Sequence, residues 1–244
     1  MPEKVAVVTG HTRGLGEAIA AHLLSQRIQV LGVARRRNAD LAKRFGTALT
    51  EVELDLADSA ALERWLDSGA LTRLVGGSKL ALLVNNAGVL QPVGPLETQD
   101  LEAVSRAVAV NVGAALVLSA AFAVATRGVS DRRILHVSSG AARDAYAGWS
   151  VYCATKAALD HHARAVALDH SPALRISSVA PGVIDTEMQA EVRATTEEKF
   201  PTRQRFVDLK REGRLRSPDE AGRDVAEFLL SDRFGRDPVS ELRG

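Results

Sequence analysis

A short valine-rich run, Lys4 to Thr9 (KVAVVT), leads straight into Gly10-His11-Thr12-Arg13-Gly14-Leu15-Gly16 and then into the helical pattern EAIAAHLL. No other stretch of the chain restricts its folding as much. An apolar, β-branched run of this length reads as a buried strand, and the segment beyond the glycines has helical apolar spacing. Strand, glycine-rich turn and helix in that order open a βαβ unit of the dinucleotide-binding kind. Glycines let the backbone approach a pyrophosphate closely, and the helix N-terminus supplies free N–H groups and positive dipole. The spacing here is G-x-x-x-G-x-G rather than G-x-G-x-x-G.

The remaining pattern continues that beginning. Strands are expected near 4–9, 28–34, 50–54, 80–85, 132–138 and 174–180, with helices near 14–25, 38–45, 58–68, 98–126, 149–171 and 217–231. The strands are apolar without clear alternation, as parallel strands covered on both faces are. Alternating elements of this kind imply right-handed crossovers and a single-domain, Rossmann-type α/β fold. Its doubly wound parallel sheet would carry helices on both faces over residues 1–244. A formal net charge of +1 gives no reason to expect a nucleic-acid partner. Cys153 is the only cysteine, which excludes an internal disulfide and a cysteine-based zinc site, and no metal is expected. The first strand begins within a few residues of Met1, so a signal segment is not expected and cytoplasmic residence is the default.

Two stretches stand apart. Ala107 to Thr126 carries no charge over a membrane-spanning length, yet it is alanine-rich and contains Asn111, Gly113 and Ser119. A buried interface helix is the preferred reading, without a membrane. Residues 187–213 form a long, polar insertion before the last helix.

Tyr152 and Lys156 lie four residues apart within a helical pattern, which places them on one face, one turn apart. A phenol with a pKa near 10 is a poor acid or base at neutral pH. A neighbouring ammonium favours the phenolate and is expected to draw that value down. No G-x-S-x-G elbow occurs, because Gly148-Trp149-Ser150-Val151 is followed by Tyr152. His161-His162 and Asp169-His170 lack metal-ligand spacing and read as helix-surface residues, and Cys153 reads as a packing residue.

These motifs together resemble the short-chain dehydrogenase/reductase family along nearly the whole chain. Thr9-Gly10 with Gly14 and Gly16 matches the family's cofactor turn. Asn85-Asn86-Ala87-Gly88 matches its NNAG motif, Asn111 its helix asparagine, and Ser139, thirteen residues before Tyr152, its catalytic serine. Pro181-Gly182 with Thr186 matches the segment beside the nicotinamide. The resemblance implies hydride transfer between a nicotinamide and a carbonyl or carbinol carbon, with Tyr152 as general acid. Lys156 would hold the nicotinamide ribose, Ser139 would hydrogen-bond the substrate oxygen, and Asn111 would hold a water of the proton relay. Cofactor contacts are implied at Gly10, Thr12, Arg13, Gly14, Leu15, Gly16, Arg35, Asp55, Leu56, Asn86, Ala87, Gly88, Tyr152, Lys156, Pro181, Gly182, Val183 and Thr186. Asp55 would meet the adenine, the insertion at 187–213 would form a substrate lid, and the helix around Asn111 would pack against a partner in a homodimer or homotetramer.

Charge argues for the phosphorylated cofactor. The second strand ends in Arg35-Arg36-Arg37 with no acid in place. A carboxylate there would repel a 2′-phosphate, whereas guanidinium groups match it, so NADP(H) is expected with Arg35 as the principal contact. Arg13 would add a second positive group. Gly148-Trp149, Val151-Tyr152-Cys153, Pro181 to Gln189 and Leu209 to Leu215 resemble the corner of the family that holds sepiapterin reductases and bacterial benzil reductases. That implies a small-molecule substrate with a ketone or vicinal dicarbonyl on an aromatic group. Trp149 and Met188 would supply apolar contacts beside Ser139 and Tyr152. The C-terminal PVSELRG departs from the family's common terminal Gly-Gly. An NADP(H)-sensing regulator without turnover is the reading from another class, and the complete set Asn111, Ser139, Tyr152 and Lys156 argues against it.

Overall fold

The structure, a computed structural model, describes residues 3–171 and 173–242. Its sheet holds β1 (Lys4–Thr9), β2 (Gln29–Ala34), β3 (Leu49–Glu53), β4 (Leu80–Asn85), β5 (Asp131–Val137), β6 (Leu174–Ala180) and β7 (Val239–Glu241). Every pairing is parallel, in the order β3-β2-β1-β4-β5-β6-β7. The connections carry α1 (Gly14–Ser25), α2 (Ala39–Phe45), α3 (Ser59–Asp67), α4 (Ala70–Val75), α5 (Leu101–Val108), α6 (Ala114–Ala125) and α7 (Ser150–Leu168). Beyond β6 come α8 (Glu187–Ala194), α9 (Arg203–Arg211) and α10 (Pro218–Leu230).

The absence of alternation in the strands has its cause in two cores. Ala6 and Val8 of β1 point to one face, where they pack with Ile19 and Leu23 of α1 and Val225 and Leu229 of α10. Val5 and Val7 point to the other, against Leu118 and Phe122 of α6 and Ala163 of α7. Successive side chains of a strand face opposite ways, so a strand covered twice is apolar at every position.

Three features go beyond what the sequence pattern specifies. The long apolar helix is α5 and α6 joined by a π-helical turn at Ala109–Gly113, a widening that places Asn111 at its centre. The polar insertion is ordered as α8 and α9, because Val192, Phe200 and Phe206 are buried among its charges. Two elements were not expected: α4, six residues between glycines, and β7, three residues that pair with β6. Both are too short to leave a period in the sequence.

The segment Leu101–Ala125 is long and apolar enough to cross a membrane, with a mean hydropathy of 2.2. Its inner side packs on the sheet through Ala114, Leu118 and Phe122. Gly113, Val117, Ala120 and Val124 form an exposed stripe along α6, at helical spacing and without a charge.

Candidate active site

Strand order reverses between β1 and β4, so the crevice above their carboxyl ends is the place where an open α/β sheet takes a ligand. The glycine turn lies there. Gly10 and Gly14 have φ of 68° and 57°, and a Cβ at Gly16 would stand 2.2 Å from the Gly10 carbonyl oxygen. Asn86 fastens the turn to β4: its side-chain amide donates to the carbonyls of Thr9 at 2.9 Å and Gly10 at 3.3 Å. The Asn86 and Ala87 N–H groups both donate to the Thr9 hydroxyl at 3.0 Å. From below, the buried His11 ring sits 2.7 Å from Glu51, in space left by Gly32, where a Cβ would come within 2.5 Å of the ring.

The site fits a dinucleotide. No side chain caps α1, the helix that follows the glycine turn. Its first-turn N–H groups face the turn, as an incoming phosphate requires. Thr186 lies over the turn, 3.3 Å from where a Gly14 Cβ would be. A Cβ at Gly88 would stand 3.4 Å from Asn111 Oδ1 and 3.6 Å from Lys156 Nζ, so glycine keeps a cradle open above that pair.

The catalytic candidates converge beside this cradle. Tyr152 and Lys156 lie on the inner face of α7, 8% and 4% exposed. Ser139 follows β5, accepts from Ala141 N–H at 3.2 Å and has its hydroxyl beside that of Tyr152, where it favours the phenolate. Lys156 Nζ donates to the Val137 carbonyl at 2.8 Å and stands 5.7 Å from the centre of the Tyr152 ring. Burial pushes the Tyr152 hydroxyl up to about 12, against the Ser139 hydrogen bond that favours the phenolate. The expected depression of the tyrosine is therefore not what the chain alone produces: desolvation outweighs it. Burial likewise moves Lys156 down to about 8, opposed by the charge of Asp160.

The Asn111 side chain has partners of its own. Its Oδ1 accepts from Val89 N–H at 2.8 Å, and its Nδ2 donates to the Val89 carbonyl at 2.9 Å and the Thr155 hydroxyl at 3.1 Å. The side chain thereby joins the π turn to α7 and the post-β4 loop.

The lid packs on the start of α7. Trp149 was expected to offer its face to a substrate ring. Instead it is 4% exposed and stacked on Phe200, with ring centres 4.3 Å apart and planes at 12°. An indole between two elements of a core has no free face. Met188 is half-buried and lines a cleft of about 370 Å³ with Arg13, Gly88, Leu90, Arg106 and Glu191. Glu187 of α8 pairs with Arg13 of the turn, and Gln91 donates to Glu191 at 2.5 Å, so the lid is pinned to both walls of the cleft.

At the adenosine end, Arg35 is exposed beyond β2, while Arg37 is held by Glu53 at 2.9 Å. Asp55 is bound by Arg106 at 2.9 and 3.1 Å and by Ala57 N–H at 3.0 Å. Burial alone would raise the Asp55 carboxyl, but these donors and Arg35 hold it below the usual carboxylate range. An adenine at Asp55 would share the carboxylate with Arg106. The side chains of Leu15 and Leu56 belong to the two cores. Pro181, Gly182 and Val183 run beside Arg216, whose guanidinium donates to the Pro181 carbonyl at 3.1 Å. Thr12 joins the turn to α2 through its carbonyl, which accepts from Asn38 at 3.2 Å.

Sequence reasoning missed Arg106, Glu187 and Asp160, charges whose partners are distant in the chain. It also placed His162 at the helix surface. That ring is half-buried, and His136 Nε2 lies 3.0 Å from its Nδ1. Burial holds His136 down to about 3.

Comparison with known proteins agrees with this geometry. The family model of the short chain dehydrogenases matches residues 4–197. Benzil reductase ((S)-benzoin forming) of Bacillus cereus is 33% identical over 98% of this chain and 99% of its own. Sepiapterin reductase of Mus musculus is 31% identical, covering 94% of this chain and 93% of its own. A crystal structure of a short-chain dehydrogenase/reductase from Burkholderia vietnamiensis is 53% identical, with a TM-score of 0.73 over 97% of this chain and 95% of that one.

Proposed function

The chain belongs to the short-chain dehydrogenase family, and from that premise we propose that it is an NADPH-dependent carbonyl reductase acting on a ketone or vicinal dicarbonyl of an aromatic substrate. The observation that carries the reading is the Ser139–Tyr152 hydroxyl pair, with Lys156 one turn below it and an apolar wall of Leu90, Val93 and Val192 around it. The bound nicotinamide supplies the hydride.

The chain's own residues position the substrate and move a proton. A phenol held at about 12 is fully protonated at neutral pH, which is the form a general acid needs. Tyr152 O–H donates its proton to the carbonyl oxygen as negative charge develops there. Ser139 keeps its oxygen turned by Ala141 N–H, leaving its own proton for the same carbonyl oxygen. Lys156 binds the ribose hydroxyls from a buried position, and the lid keeps water from the reacting carbon.

Arg35, exposed beyond β2 with the longer-range charge of Asp55 acting on it, supports NADP(H) over NAD(H). One or two charge-assisted hydrogen bonds, at about 1.5–3 kcal/mol each, correspond to a roughly ten- to few-hundred-fold preference. The identity with benzil reductase over nearly the whole chain supports a dicarbonyl substrate. That with sepiapterin reductase supports a pterin side chain as the second reading. The stripe along α6 supports a homodimer or homotetramer.

The test follows NADPH absorbance with benzil, a simple aromatic ketone and sepiapterin, each repeated with NADH. Benzil turnover with NADPH and little with NADH is the expected result. Turnover of sepiapterin alone transfers the assignment to the pterin reading, and tight NADPH binding without turnover of any of the three discards the substrate class.

A further inference from the structure

Lys156 holds its charge where water does not reach, and one hydrogen bond to the Val137 carbonyl does not neutralise an ammonium group. One turn further along α7 lies Asp160, 1% exposed. Its Oδ1 accepts from the Ser138 hydroxyl at 2.6 Å and from the Ser178 hydroxyl at 2.7 Å. Its Oδ2 is buried with no hydrogen-bond partner among the described residues. Two hydroxyl donors on one oxygen fix the carboxyl group in place. A fixed, buried negative charge one helical turn from a buried positive one is a matched pair, although the two groups do not touch.

We propose that Asp160 is a positioning residue, the fixed counter-charge that keeps Lys156 protonated beneath the cofactor ribose. Through Ser138 it also holds the end of β5 from which Ser139 projects. The role of Lys156 in this inference rests on the reductase reading above. Other groups around Lys156 do not supply the charge. Tyr152, from the same helix, is a neutral phenol, and Asn111 and Thr155 carry none. His136 on β5 is held neutral by burial, with the half-buried His162 behind it. Asp160 is the influence that opposes burial at Lys156. A serine–carboxylate staple between β5, β6 and α7 is the purely structural alternative, and it makes no demand on the titration of Lys156.

Asp160→Asn separates the two, because the amide oxygen still accepts from both serines while the charge is gone. The readouts are NADPH affinity by fluorescence and kcat/KM for carbonyl reduction, each across roughly pH 6 to 10, with thermal midpoints alongside. With the counter-charge removed, the alkaline limb of both profiles is expected to move down by about one pH unit or more, a tenfold loss of protonated lysine at a given pH. Ser178→Ala removes one donor but keeps the charge, and is expected to leave the alkaline limb in place while lowering the thermal midpoint. If Asp160→Asn does not fold, Asp160→Ala combined with Ser178→Ala, which removes the charge together with one hydroxyl it satisfied, decides. An alkaline limb that stays in place in the folded variant lacking the charge, with affinity or rate lowered evenly at every pH, would overturn the proposal. Wild-type protein that binds NADPH but reduces no carbonyl counts against the reductase reading alone, and the affinity profile still decides the role of Asp160.

Discussion

The Lys199 carbonyl oxygen lies so close over Gly148 that a Cβ at residue 148 would stand 2.1 Å from it. Gly148 also has φ of 82° and gives its own carbonyl to Gly94 N–H at 2.9 Å. The lid between α8 and α9 is thus seated directly on the turn that starts the catalytic helix. Gly148→Ala combines a left-handed strain with that collision, which displacement of the 195–202 segment would relieve. The expected outcome is a protein that folds and binds NADPH near normally while KM for the carbonyl substrate rises about tenfold or more. Steady-state kinetics beside NADPH titration check it; an unchanged KM would show that the lid does not shape the substrate site.

Tyr152→Phe removes the hydroxyl assigned as general acid and leaves the ring packed against Trp149, 5.4 Å between ring centres. Positioned acid catalysis contributes roughly 10²- to 10⁴-fold, so turnover should fall by that factor. NADPH affinity should stay within about threefold. Retained turnover in this variant would remove Tyr152 from the mechanism.

Much of this was readable in the sequence, and the reasons differ by residue. The glycine turn, Asn86 and the Tyr152–Lys156 pair are local patterns, fixed by chain geometry over a few residues. Arg106 on Asp55, Glu187 on Arg13 and Asp160 under Ser138 and Ser178 depend on which strands become neighbours, and no spacing encodes that. Trp149 was open between substrate contact and lid packing for a similar reason: its partner Phe200 stands in a charged insertion whose few apolar residues give no clear period. The direction of the Tyr152 shift required knowing how completely the site is buried.

His136 gives the fold an acid limit. Asn85 Nδ2 donates to its Nδ1, its Nε2 faces His162, and it is fully buried. Burial, with the nearby His162 and Lys156 charges, lowers its pKa to about 3, whereas an unfolded histidine titrates near 6.5. Between those values the unfolded chain binds a proton that the native chain refuses, so stability falls as pH falls through that window. The slope is at most about 1.4 kcal/mol per pH unit for this one group. Denaturant unfolding at pH 7 and near pH 5 should show the loss, and His136→Gln should flatten it. An equal loss in the variant would assign the acid sensitivity elsewhere.

Arg35 is expected to set cofactor choice. Arg35→Ala removes the exposed guanidinium beyond β2 without disturbing Arg37, which remains on Glu53. NADPH affinity should drop about tenfold or more while NADH affinity changes little, because only NADPH carries the 2′-phosphate. Raising the salt concentration should weaken NADPH in wild-type protein more than in the variant. An equal loss for both cofactors would mean that Arg35 meets a feature common to them.

The stripe Gly113, Val117, Ala120 and Val124 on α6 continues at Leu101 and Val108 of α5, which are 81% and 48% exposed. Small residues alternate with valines along it, so a second copy of the helix can approach closely, and nothing charged has to be desolvated. An isologous contact buries position 117 of both copies, which makes Val117→Asp a sharp probe. Two like charges would be buried at each contact, and the expected result is a shift from dimer or tetramer to monomer in light scattering at micromolar concentration. NADPH binding should persist in that monomer, since Val117 faces away from the cleft. Wild-type protein that already runs as a monomer would leave the stripe without a role in assembly.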